Sequence, residues 1–119
     1  MRFRALVAAA FALGACGSQP AGARSPALVP AERLAGGWTL SLEGRADCRL
    51  RLTAAVSSHG YRAEIAPGCA LAVAQWRTVP DGMELAAADG LTLALLAPAG
   101  EGAWEGFDAQ RRAARLTRR

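Results

Sequence analysis

The sequence predicts an all-β fold: a small eight-stranded antiparallel up-and-down β-barrel carrying an extended N-terminal arm. Three observations predict it. From Gly37 onward, apolar and polar residues alternate with a period of two. Turn-forming Gly, Pro and Asp punctuate that pattern at close to ten-residue spacing, and the stretch before it holds Pro, Gly and Ser in place of large apolar side chains. At 119 residues the chain has room for one domain.

Residues 1–15 read as an export signal of the lipoprotein type. Arg2 and Arg4 form a positive start, and the apolar run from Ala5 to Leu13 is too short to span a bilayer as a permanent helix. Two cleavage sites compete. Leu13-Gly14-Ala15-Cys16 has the form of a lipobox, which would make Cys16 a lipidated first residue. Ala21-Gly22-Ala23 has the form of an A-x-A site, which would release a soluble chain beginning at Arg24. Either cut places the mature protein outside the cytoplasm, where disulfides persist. Residues 16–33 are a tether or arm: Pro20, Pro26 and Pro30 favour extended backbone and resist helix. Some twenty flexible residues span roughly 25 Å, and about 65 Å when pulled straight.

Residues 34–119 form the barrel domain. Trp38, Leu40 and Leu42 alternate with Thr39 and Ser41; Cys48, Leu50, Leu52 and Ala54 with Arg49, Arg51 and Thr53; Tyr61, Ala63 and Ile65 with Arg62 and Glu64. Five further strands are expected over Ala74–Thr78, Gly82–Ala86, Leu91–Leu96, Ala103–Phe107 and Ala113–Thr117. Turn signals separate them, from Glu43-Gly44 and His59-Gly60 through Pro80-Asp81-Gly82 to Gly100-Glu101-Gly102. Eight such strands can close into a barrel filled by side chains. Three cysteines occur, and pairing Cys48 with Cys69 closes a loop of about twenty residues, a constraint of roughly 3 kcal/mol. Pairs using Cys16 would only tie down the signal or tether.

Several chemistries are excluded. His59 is the single histidine and sits in a turn, without the second imidazole that most metal sites or a positioned triad would need. Ten carboxylates are scattered over different turns and strands, so no acid–base pair is enforced. All fourteen basic residues are arginine and the formal charge is +4. Without Arg2 and Arg4, twelve arginines against ten carboxylates leave +2, too little to argue for nucleic acid. Trp38, Trp76 and Trp104 read as core packing, the alternative being a ligand pocket in a lipocalin-like barrel. Arg111, Arg112, Arg115, Arg118 and Arg119 fit a last strand with Arg115 outward and Leu116 inward, the alternative being an acidic or lipopolysaccharide surface.

Leu34-Ala35-Gly36-Gly37-Trp38-Thr39-Leu40 resembles the start of the first strand in the bacterial alkaline protease inhibitors, the metalloprotease inhibitor Inh type. The likeness continues through Cys48, Cys69, Trp76-Arg77, Pro80-Asp81-Gly82, Asp89-Gly90-Leu91-Thr92-Leu93, Gly100-Glu101-Gly102 and the arginine-rich end, covering about Pro30 to Arg119. The N-terminus is similar to an outer-membrane lipoprotein branch of that family, and Gly17 after Cys16 implies no retention in the inner membrane. The resemblance implies a monomeric, periplasmic barrel with one disulfide, no catalytic residue and no cofactor. It implies a serralysin-type zinc protease as partner, with a protease-binding arm at Arg24, Ser25, Pro26, Ala27 and Leu28 entering the cleft. A free α-amine of pKa near 8 at the tip could replace the water on the protease's zinc. Acylation of Cys16 would remove that amine and tie the arm to a membrane. Only Ala70–Gln75 separate Cys69 from Trp76, a shorter connection than the family pattern. The alternative function is a structural or small-ligand-binding outer-membrane lipoprotein with a non-inhibitory barrel.

Overall fold

A computed structural model describes residues 29–119; Cys16 and the arm Arg24–Leu28 lie outside the described residues. One helical turn, α1 (Ala31–Leu34), precedes eight strands: β1 (Gly36–Leu42), β2 (Cys48–Ser57), β3 (Gly60–Ile65), β4 (Gln75–Val79), β5 (Gly82–Ala86), β6 (Thr92–Pro98), β7 (Ala103–Asp108) and β8 (Ala113–Arg118). Each strand pairs with the next, and β8 returns to β1, so the antiparallel sheet closes into a barrel.

The period-two pattern acts as expected except at the end of β3, where Ile65 is exposed. In β1, Trp38, Leu40 and Leu42 point inward and are buried, with Thr39 and Ser41 half-buried between them. Leu50 and Leu52 of β2, Met83 and Leu85 of β5, Leu96 of β6 and Leu116 of β8 meet them inside. Trp76 has no accessible surface and Trp38 only 1%. The interior is therefore a packed side-chain core of the kind small barrels require.

Two glycines let neighbouring strands crowd against β6. A Cβ on Gly82 of β5 would lie 1.9 Å from the Leu96 carbonyl oxygen, and one on Gly106 of β7 would lie 2.0 Å from that of Leu95. Both contacts are with backbone, so neither site accepts a side chain without moving β6.

β2 runs on to Ser57, past the alternation that ends at Ala54, because its register with β3 shifts between Leu52 and Val56. This bulge has a use. It leaves the Thr53 carbonyl free to accept the buried Trp76 indole N–H at 2.9 Å, while Thr53 Oγ1 accepts the Ala55 N–H at 3.2 Å.

α1 lies inside the segment expected to stay extended through Arg33. Proline resists helix in the interior but fits its start, and Pro30, with φ −62° and ψ 146°, occupies the N-cap. Burying Ala31 and Leu34 against the barrel core then stabilises a turn too short to hold by itself. The folded unit thus includes Ala31, three residues before Leu34.

Candidate functional site: the base of the N-terminal arm

The arm joins the barrel through α1, and three interactions fix that junction. The Trp38 indole N–H donates to the Leu34 carbonyl at 2.9 Å, tying β1 back onto the helical turn. The Arg118 guanidinium lies over the Trp38 ring, 4.3 Å from its centroid. From there it donates to the Ala35 carbonyl through Nη1 at 2.9 Å and to the Arg33 carbonyl through Nη2 at 2.6 Å. One planar fork therefore satisfies two carbonyls that a four-residue helix leaves without partners.

Gly36 completes the joint. Its φ of +131° is a conformation L side chains rarely adopt, and a Cβ there would stand 3.1 Å from Arg118 Nη1. Glycine both turns the chain from α1 into β1 and leaves room for the guanidinium.

The connection from β3 to β4 is fastened separately. The Cys48–Cys69 disulfide, with Cα atoms 5.3 Å apart, ties it to the start of β2. Beyond Cys69 the chain turns inward, and Leu71 and Val73 are buried in the barrel core. A second tie comes from Gln75, only 2% exposed at the start of β4. Its Oε1 accepts from Ser57 Oγ and from the His59 backbone N–H, both at 2.7 Å. Its Nε2 donates to the Ala87 and Ala88 carbonyls at 2.9 and 3.1 Å. Gln75 thus staples the β2–β3 turn to the β5–β6 turn. His59 is an exposed member of that turn, its Nδ1 3.0 Å from Ser58 Oγ.

Four of the carboxylates prove to be sheet and turn fastenings. Glu84 accepts from Arg77 Nη2 at 2.9 Å across β4 and β5, Glu105 pairs with Arg115 across β7 and β8, and Glu43 accepts the Ala113 N–H at 3.0 Å. Asp108 is the buried one, at 5% exposure. It closes the β7–β8 turn by accepting from the Gln110 and Arg112 backbone N–H groups and from Arg112 Nε at 2.7 Å. Burial alone would raise its pKa; the hydrogen bonds and charge of Arg112, with the Gln110 N–H, outweigh burial and hold the carboxyl below its ordinary value. Among the described residues no group of three His, Cys, Asp or Glu side chains could hold a metal ion.

The sequence from residue 28 to residue 118 matches the family model described as protease inhibitor Inh. The chain belongs to this family. As an Inh protein it is a protease inhibitor and not an enzyme. No curated protein matches the chain. Among solved structures, it is similar in fold to a crystal structure of a psychrophilic marine protease MP inhibitor. The two share 19% identity over 76% of this chain and all of the other, with a TM-score of 0.59.

The Inh match begins at Leu28, the last residue of the expected arm, immediately before the joint just described. The cysteine pairing expected from the sequence is present, and Trp38 and Trp76 lie in the core. The terminal arginines do not form one surface. Arg112 binds Asp108, Arg115 binds Glu105 and Arg118 locks the arm base. Sequence reasoning missed Gln75, Asp108 and the role of Arg118. Only Asp108 left a trace, as an Asp opening a tight turn before Arg112.

Proposed function

We propose that this Inh protein inhibits a secreted serralysin-type zinc metalloprotease by placing Arg24–Leu28 in the protease cleft. An acylated Cys16 would hold the protein at the outer membrane, in the periplasm, the soluble alternative being a chain that begins at Arg24. The locked arm base is the observation that carries this reading. An inserted strand is useful only if its root cannot yield, and Trp38, Arg118 and Gly36 anchor the root to the barrel.

The chemistry of the arm fits. Pro30 is extended in the structure, and Pro26 and Pro30 bias Ser25 and Val29 toward extended backbone as well. A sequence biased toward extended backbone loses less entropy on docking as a strand, whose N–H and C=O groups are those with which a substrate hydrogen-bonds a cleft. In a chain beginning at Arg24, the deprotonated α-amine is the group able to ligate the protease's zinc; an acylated chain would have to block the cleft by occupancy alone.

The test compares chains beginning at Cys16, Arg24 and Val29 against a serralysin-type protease. The Val29 form should lose roughly a hundredfold or more in inhibition, as expected when a buried anchor segment is removed, while its melting temperature stays within a few degrees. Full inhibition by the Val29 form would overturn the arm mechanism. Intact mass of the protein from its host settles whether it begins as acylated Cys16 or as Arg24.

A further inference from the structure

We infer that the outer face of β1, β2 and β3 carries an oxyanion site, built by Arg49, Arg51 and Arg119 around Gly37, that takes a phosphate group. The site is independent of the protease reading.

Strand register assembles it. Arg51 sits directly opposite Gly37, and Arg49 opposite Thr39, one step along the same outward face. On the other side of β1, the Arg119 N–H donates to the Gly37 carbonyl at 3.0 Å, which fixes Arg119 beside Gly37. Gly37 has no side chain, so the surface dips there. The resulting hollow is about 240 Å³, with the three arginines and Glu64 on its walls. Arg119 reaches over the floor: its Nη1 would be 3.6 Å from a Cβ at Gly37.

The charge in the hollow is net positive. Ion pairs among the described residues engage Arg77, Arg112 and Arg115, but none of these three. Residues 1–28 contain no Asp or Glu, so no side chain there can neutralise them. Glu64 faces Arg51 in register without forming an ion pair, and the three guanidinium groups outnumber it. A phosphate monoester carries about −1.5 to −2 at pH 7 and offers three acceptor oxygens. Guanidinium forks match those oxygens in geometry as well as charge. The phosphate could be free in solution or part of an anionic lipid headgroup, where a diester keeps one negative charge and two unesterified oxygens for the same guanidinium forks.

The test uses the non-acylated chain from Arg24 at low salt, where screening is weak. Inorganic phosphate is titrated while the arginine Nε–H signals are followed by NMR, and binding to phosphatidylglycerol and phosphatidylcholine vesicles is measured in parallel. Saturable phosphate shifts at Arg49 and Arg51 support the site with free phosphate as source; binding to phosphatidylglycerol vesicles alone supports it with lipid as source. Arg49→Ala/Arg51→Ala should weaken either by roughly a hundredfold, about tenfold per charge-assisted contact removed. Gly37→Val, which fills the floor and keeps every charge, should weaken it roughly tenfold by blocking close approach, and it serves if the double variant fails to fold. Binding unchanged in Gly37→Val, or no binding to either probe, overturns the proposal. Loss of protease inhibition in the arginine variant without phosphate or vesicle binding also overturns it, assigning the hollow to a protein carboxylate instead.

Discussion

Gln75 is one side chain asked to hold two turns, and the cost of removing it can be worked out. Its four shortest hydrogen bonds, of 2.7, 2.7, 2.9 and 3.1 Å, run to the β2–β3 and β5–β6 turns. Each such bond contributes a net ~0.5–1.5 kcal/mol, and the turn partners can recover water because both turns are at the surface. Gln75→Ala should therefore destabilise the barrel by about 2–3 kcal/mol, a fall of about 10–20 °C in melting temperature for a domain this size. Gln75→Glu makes a sharper test. The carboxylate keeps the bonds from Ser57 and His59, but one oxygen now faces the Ala87 and Ala88 carbonyls, to which only a protonated acid can donate. Folding then favours the protonated form and raises the glutamate above its ordinary value of about 4.3. The unfolded chain releases its proton first as pH rises, so this variant should be nearest the parent below about pH 4 and progressively less stable above it. Urea unfolding of all three proteins across pH 3–8 reads this directly. If Gln75→Ala stays within about 0.5 kcal/mol of the parent, or the Gln75→Glu deficit is flat with pH, the staple is not what holds the turns.

Three more perturbations probe the frame. Arg118→Ala should cost about 1 kcal/mol and speed amide exchange over residues 31–37, and Arg118→Lys should not restore protection, because a single ammonium cannot serve both carbonyls; full protection in either variant would refute the lock. Replacing Cys48 and Cys69 by Ala should cost roughly 3 kcal/mol by thermal unfolding, and an unchanged melting temperature would show that Leu71 and Val73 alone seat that segment. Asp108, with its pKa lowered by Arg112 and Gln110 despite burial, contributes stability above its ordinary value of 3.8 that disappears as pH falls through its lower folded value. Asp108→Asn should flatten that part of the acid-unfolding curve, and an unchanged acid limb would assign it to another carboxylate.

The barrel was legible because its two signals are local. Alternation such as Trp38-Thr39-Leu40-Ser41-Leu42 records which face is buried, and Pro80-Asp81-Gly82 or Gly100-Glu101-Gly102 can be little except turns. The unread features depend on contacts distant in sequence. α1 is four residues long with no period to detect, and it forms because Leu34 has a barrel to bury against. Gln75 is one polar residue after an apolar stretch, and its partners lie 12 to 18 residues away. Arg118 looks like its arginine neighbours in the sequence. It differs only because β8 pairs with β1 and places it opposite Trp38. The same closure creates the hollow at Gly37, where residues from both ends of the domain meet.

Closure also governs how this protein survives its own partner. A protease takes hold of a substrate by adding an extended strand to its cleft, and that strand must have free N–H and C=O groups. Every strand among the described residues is hydrogen-bonded on both flanks, so none can be presented without opening the barrel. Cleavage within the strands therefore waits on unfolding, and their lifetime beside an active protease is set by the stability of the core rather than by the sequence specificity of the enzyme.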